Sequence, residues 1–265
     1  MMDTSTRISI MQHNTAKTPE IMHTTLELAK ESSIDFVLIQ EPWIAFQNNS
    51  LLHISHPSYH CILPSISNNI RPRVAIYARK QLKYNYCQRT DMTSSSDIII
   101  LDISGPNIET FHLINIYNEK SLDPECETTD YIVERCLQNI QLSKKTLIIG
   151  DFNAHHSWWN SSISNSVRSD SLISWLNLYD FDLINEPDIM TRSSTINSNI
   201  TESVIDLAFA TKSLFQQIAN WYVDDLVATN FNHEVIKFHI KIKIAILIDN
   251  SLYSNFFNFK KVDWK

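Results

Sequence analysis

Residues 147–153 read Leu-Ile-Ile-Gly-Asp-Phe-Asn, an apolar run that breaks at Gly150 and then presents a carboxylate, Asp151, and a carboxamide, Asn153. Side chains two apart on an extended strand share a face, so this pair can project to one side of a sheet. An acid and an amide at the end of a buried strand suit the handling of a metal-bound phosphate better than they suit packing. Other apolar runs also end in polar groups. Asn14 follows Arg7–His13, Glu41 follows Asp35–Gln40, Asn115 and Tyr117 close Phe111–Tyr117, and His233 precedes the last strand. Asp206 lies inside Val-Ile-Asp-Leu, where an acid is costly unless it is paired or ligates something.

Hydrolysing a phosphodiester needs a neutralised phosphate, a positioned water and a stabilised leaving oxygen. Glu41 is a hard oxygen donor of the kind Mg²⁺ takes, one or two carboxylates at a time. Neutral Asn and Tyr donors can hold phosphate oxygens without adding charge. A histidine gripped by a buried carboxylate, here His233 with Asp206, can donate to a developing anion or manage a proton. Each residue also has an ordinary structural use: Glu41 as a surface acid beside Pro42, Asn14 as a turn former, Tyr117 as core, Asp206 as a cap or an arginine partner. His155 and His156 are set aside, because adjacent residues on an extended chain diverge.

The elements that must position these groups follow from periodicity. Alternation or continuous apolar runs predict strands at Arg7–His13, Asp35–Gln40, 73–78, 97–103, Phe111–Tyr117, Asp182–Ile184, Ser203–Ala210 and Val235–Ile248. Helical spacing predicts Pro19–Ser32, Asp130–Leu142 and Ser169–Leu178, the first opened by its proline. Pro42 should hold Glu41 in extended geometry. Strands interleave with helices and no repeat or early linker interrupts them, which points to two packed sheets with outer helices in one domain over residues 1–250. Residues 251–265 form an Asn-rich, aromatic tail.

The composition, 43% hydrophobic and 19% charged over 265 residues, supplies a real core and excludes wholesale disorder. Only two glycines occur, so Asn, Asp, Ser and Pro must build the turns and no glycine-rich phosphate cradle can be written. Cys61, Cys87, Cys126 and Cys136 lack C-x-x-C spacing and read as free thiols in a reducing compartment. With no apolar leader and no run near the ~18 residues of a membrane span, an intracellular protein is expected. The net charge of -7 counts against a nucleic-acid partner. However, Arg71, Arg73, Arg79, Lys80, Lys83 and Arg89 form a run without acids that could meet a phosphate backbone.

The ordered set resembles a known superfamily. Asn14, Gln-Glu-Pro around Glu41, Asn-x-Tyr ending at Tyr117, Gly-Asp-Phe-Asn at 150–153, Ile-Asp-Leu at 205–207 and His233 look like the endonuclease/exonuclease/phosphatase superfamily, over nearly residues 7–248. Gln-Glu-Pro-Trp at 40–43, Gly-Asp-Phe-Asn-Ala-His-His-Ser-Trp-Trp at 150–159 and Asp-Leu-Ala-Phe-Ala-Thr at 206–211 are similar to the endonuclease domain of non-LTR retrotransposon polyproteins. Asn-Phe-Lys-Lys-Val-Asp-Trp at 258–264 looks like the join to a reverse-transcriptase domain.

The resemblance implies a four-layer α/β sandwich of two mixed sheets flanked by helices. It also implies a Mg²⁺-dependent endonuclease, with Mn²⁺ as a substitute, that nicks target DNA. DNA is then the partner, with no membrane and no obligate protein partner, and a nuclear location follows from the substrate. Glu41 would be the metal ligand and Asp151 would orient or activate the attacking water. Asn14 and Asn153 would position Asp151 and the phosphate, Asn115 and Tyr117 would serve the substrate, and Asp206 would hold His233 against the scissile phosphate. The family's final Ser-Asp-His is Phe231-Asn232-His233 here, which puts an uncharged amide, Asn232, at a metal-binding carboxylate position. The family's proline soon after the tyrosine is replaced by Asn118-Glu119. The competing readings are an inactive remnant that at most binds DNA, and a phosphatase acting on a small phosphorylated molecule.

Overall fold

The computed structural model describes residues 6–48, 50–66, 70–106, 108–119, 133, 136–196, 199–224 and 232–242. In chain order its first half comprises β1 (Thr6–Asn14), α1 (Pro19–Glu31), β2 (Phe36–Gln40), β3 (Ile44–Gln47), β4 (Ser50–His53), β5 (Tyr59–Ile62) and β6 (Val74–Arg79). Then come β7 (Asn85–Gln88), β8 (Ile98–Gly105), β9 (Ile108–Tyr117), β10 (Thr146–Asp151) and α2 (Val167–Leu178). The last part holds β11 (Phe181–Leu183), β12 (Arg192–Ile196), β13 (Asn199–Ser203), β14 (Asp206–Thr211), α3 (Lys212–Phe215), β15 (Ile218–Asp224) and β16 (Val235–Ile242).

Two six-stranded mixed sheets result, ordered β15-β16-β1-β2-β6-β5 and β11-β14-β10-β9-β8-β7. Every residue of β2 is buried. An unbroken apolar run demands this, because both faces of its sheet are covered. Phe36 and Leu38 join Ile8, Ile10, Val74 and Ile76 between the sheets, against Ile99, Leu113, Leu147 and Ile149 of the second sheet. The alternate residues Val37 and Ile39 pack outward with Met22, Leu26 and Ala29 of α1. On the far side, Ile114, Ile148, Leu207 and Phe209 pack against Leu172, Trp175 and Leu176 of α2. The chain is therefore the four-layer α/β sandwich that its motifs imply, though with modest helical cover.

Turns are built almost without glycine. Among the described residues nine non-glycine residues take positive φ, including Asn48, Asn153, Asp180, Asp188 and Asn220, types that tolerate the left-handed region best. Ser33 (φ 57) ends α1 in the position where glycine is customary.

Several expectations need correction. The expected helix Asp130–Leu142 is helical at Val133, but its described second half is a 3-10 turn at Leu137–Asn139, with Ile140 already extended; residues 130–132 and 134–135 lie outside the described residues. The expected strand Ser203–Ala210 divides at Val204-Ile205: β13 belongs to a separate hairpin with β12, and β14 belongs to the second large sheet. Val235–Ile248 is a strand as far as Ile242, and residues beyond it, with the 251–265 tail, lie outside the described residues. Within β16, Lys237 is interior, buried against Asp224 and the Ser32 hydroxyl. The β3–β4 and β12–β13 hairpins, β5, β7 and β15 carry too few residues of one period to be read in advance.

Gly150 shows a steric requirement. A Cβ built there would lie 1.9 Å from the carbonyl oxygen of Ile116 on the neighbouring strand. Because backbone cannot yield as a flexible side chain can, Gly150→Ala should destabilise the fold by about 1–3 kcal/mol, lowering a thermal melting midpoint by roughly 5 °C. An unchanged midpoint would show that β9 and β10 are less closely apposed.

Candidate active site

At one end of the sandwich, strands of both sheets deliver polar groups to one place. Asn14 and Gln40 stand abreast at the ends of β1 and β2 in the first sheet. Tyr117, Asp151 and Asp206 stand abreast on β9, β10 and β14 in the second. His233 lies two residues before β16 and bridges to Arg192 at the start of β12.

Asp151 is the hub. Its Oδ2 accepts a hydrogen bond from Asn14 Nδ2 at 2.9 Å, and its Oδ1 accepts from the Asn153 backbone N–H at 3.0 Å. The same Asn14 nitrogen lies 3.5 Å from Glu41 Oε2. Glu41 Oε1 in turn meets the Lys17 ammonium at 2.8 Å. His233 Nδ1 donates to Asp206 Oδ2 at 2.8 Å, since a carboxylate only accepts. One ligand atom each of Asp151, Asp206 and His233 lie within 4.8 Å of one another, all buried. Glu41 is not one of these three groups but is linked to them through the shared Asn14 amide nitrogen.

The electrostatics follow from that crowding. Burial, with Asp206 alongside, pushes the Asp151 carboxyl up to about 7. For His233, burial alone would lower the pKa, but the hydrogen-bonded Asp206 carboxylate and nearby Asp151 more than offset this and raise it. Burial and the Glu41 and Asp151 carboxylates hold the Tyr117 hydroxyl far above the usual phenol range, so it stays a donor. Two buried acids and an imidazole, each offering a ligand atom within 4.8 Å of the others, suit a bound cation. The donors are oxygens with one imidazole and no thiolate, which fits a hard divalent ion such as Mg²⁺ or Mn²⁺.

Several supporting residues were not legible in the sequence. Thr191 Oγ1 accepts from the Ile205 and Asp206 backbone N–H groups, and Asn185 ties the Asp206 carbonyl to the Ala208 N–H. Gln12 Nε2 reaches Asp206 Oδ1 at 3.4 Å. His13, held neutral by burial with its pKa lowered to about 4, contacts Thr25 through Nδ1 and the His233 carbonyl through Nε2. The only available signal was that Gln12 and His13 precede Asn14 directly.

Other expectations change. Asn115 is fully buried: both its amide hydrogens go to the Ile39 and Ala75 carbonyls across the sandwich, and its oxygen accepts from Gln40. It ties the sheets together and presents nothing to a substrate. Glu41 is not extended but left-handed (φ 47), its N–H bound to the Arg73 carbonyl. Asn153 is also left-handed (φ 46) and follows the strand, so the two-residue period does not apply. It engages Asp151 through its backbone, while its side chain donates to the Asn118 carbonyl. Asn232 is exposed, with its carbonyl on the Ser193 N–H. The basic run is not one free face, since Arg73 is spent on Asp97 and Glu119, and Arg89 on Asp91 and Asp102.

Because the folded pKa of Asp151 exceeds its unfolded value, the folded protein holds the extra proton between about pH 4 and 7, and stability falls with rising pH across that window. Without divalent ions, Asp151→Asn should therefore melt higher than wild type at pH 8, by about 2–4 °C per kcal/mol of relieved strain. The gap should narrow toward pH 5. A variant that melts lower at pH 8 would contradict this electrostatic account.

Residues 111–236 match a family model described as endonuclease-reverse transcriptase. No curated protein matches the sequence. The endonuclease domain of TRAS1, a telomere-specific non-LTR retrotransposon, superposes with a TM-score of 0.70 at 20% identity, covering 88% of this chain and 98% of that one. An AP endonuclease from Archaeoglobus fulgidus gives 0.58 at 15% identity over 87% and 98%. The 3′ phosphatase NExo from Neisseria, bound to a product DNA hairpin, gives 0.56 at 13% identity over 88% and 99%. The chain thus has the endonuclease/exonuclease/phosphatase fold and, in sequence and structure together, resembles the endonucleases of non-LTR retrotransposons.

Proposed function

We propose that this chain is a Mg²⁺-dependent phosphodiester hydrolase that nicks DNA, with Mn²⁺ as a substitute ion. The observation that supports the reading is the cross-sheet hydrogen bond from Asn14 to Asp151, with Glu41 near the same amide nitrogen and Asp206 and His233 clustered with Asp151. The resemblance to the TRAS1 endonuclease domain supports DNA as the substrate. Glu41 would hold the metal with help from Asn232, and the bound ion would neutralise the phosphate and the leaving oxygen. Asp151, oriented by Asn14 and the Asn153 N–H, accepts the proton of the attacking water. Tyr117 donates its hydroxyl to a phosphate oxygen. His233, aligned by Asp206, donates to the phosphate as negative charge builds on it. In this reading residues 1–250 form the catalytic domain and 251–265 lead toward a reverse-transcriptase domain.

Asn232 favours a second reading, a weakened or inactive copy of such an enzyme, because an amide contributes no charge to the ion. Supercoiled plasmid separates the two. Wild type should convert it to open circles in millimolar Mg²⁺, and Asp151→Ala or His233→Ala should slow this by about 10²–10⁴-fold. Asn232→Asp should lower the Mg²⁺ concentration needed. Absence of nicking by both wild type and Asn232→Asp over a wide Mg²⁺ range would defeat the nuclease reading.

A further inference from the structure

Lys17 has no part in the chemistry above, yet its ammonium sits on the one carboxylate assigned to the metal, 2.8 Å from Glu41 Oε1. The contact is built in by the backbone. Thr18 N–H bonds to the Thr15 carbonyl, and the central residues Ala16 (φ 47) and Lys17 (φ 58) are both left-handed, a mirror-image turn made without glycine. Asn14 Oδ1 accepts from the Ala16 N–H, and the Lys17 N–H donates to the Glu41 carbonyl at 2.7 Å. Thr15 Oγ1 reaches that same carbonyl at 3.0 Å. Glu41 is itself left-handed and bonded to Arg73. Three strained residues are thus locked face to face, and strain of this kind persists only where the surroundings enforce it. The stem of Lys17 cannot drift from Glu41 by more than its own length.

A divalent ion taken up by Glu41 would have to share that carboxylate with the ammonium, and two cations on one carboxylate repel. We infer that Lys17 is an internal competitor for the divalent ion: it neutralises Glu41 while the site is empty, must be displaced when the ion enters, and so sets the ion concentration at which the site fills. The inference rests on Glu41 being the metal ligand.

The test is Mn²⁺ binding to DNA-free protein, followed by electron paramagnetic resonance of the free ion or by calorimetry, with melting curves to check folding. Exposed ion pairs of this class are worth enough to move an equilibrium by up to about fivefold. Lys17→Met should therefore bind Mn²⁺ about three- to fivefold more tightly than wild type. Lys17→Arg, which keeps the charge, should stay near wild type, and Glu41→Gln should bind far more weakly. If Glu41→Gln loses binding while Lys17→Met is unchanged or weaker, the competition is overturned and Glu41 stands as ligand. Should Glu41→Gln bind like wild type, or no variant bind at all, the metal assignment fails and takes the competition with it.

Discussion

The Asn14 amide joins the two sheets at the candidate site. Asn14 ends a strand of the first sheet, Asp151 ends a strand of the second, and the bond between them closes the polar end of an otherwise apolar interface. Everything else at the site is referenced to that join. Glu41 reaches it from the same sheet as Asn14, while Tyr117 and Asp206 flank Asp151 in its own sheet. The Asn115–Gln40 pair, buried just behind, performs the same tie with no exposure to solvent. Two sheets held only by aliphatic packing could slide, and directional polar bonds fix the offset between them.

The cost of this arrangement is concentrated locally. Ala16, Lys17, Glu41 and Asn153, all left-handed without being glycine, surround the acids. Two buried carboxylates share a small space with one imidazole, and burial beside Asp206 pushes Asp151 toward neutrality. Packing elsewhere is regular enough to carry that burden: β2 and β10 are buried at every residue, and each sheet is covered by a helix.

Much of this was readable beforehand, for physical reasons. Buried strands in a covered sandwich must be continuous apolar runs, so Phe36–Gln40 and Thr146–Asp151 declare themselves, and the polar residue ending each run marks where the sheet stops. Asp206 was visible because an acid amid apolar neighbours demands a partner, and His233 supplies it. The side on which a polar residue is used was not readable. Asn115 looks the same as Asn14 in sequence, yet it turns inward to the backbone of the opposite sheet. Nor was the backbone at Glu41 readable, since the rule for residues before proline yields to the bond with Arg73. Lys17 gave no signal at all, because a lone lysine in a turn resembles any solvated charge.

The first strand of the chain lies against the last one described, Thr6 opposite Ile242 and Gln12 opposite Ile236. A ribosome emits β1 well before β16, with all the other described strands between them. While synthesis proceeds, β1 can pair only on its β2 side, and its other edge waits unsatisfied for a strand that has yet to be made. His233 arrives just ahead of that strand. Completion of the sheet and completion of the candidate site are therefore one event, and a chain lacking β16 would leave the β1 edge unpaired and the Asp206 carboxylate without its imidazole.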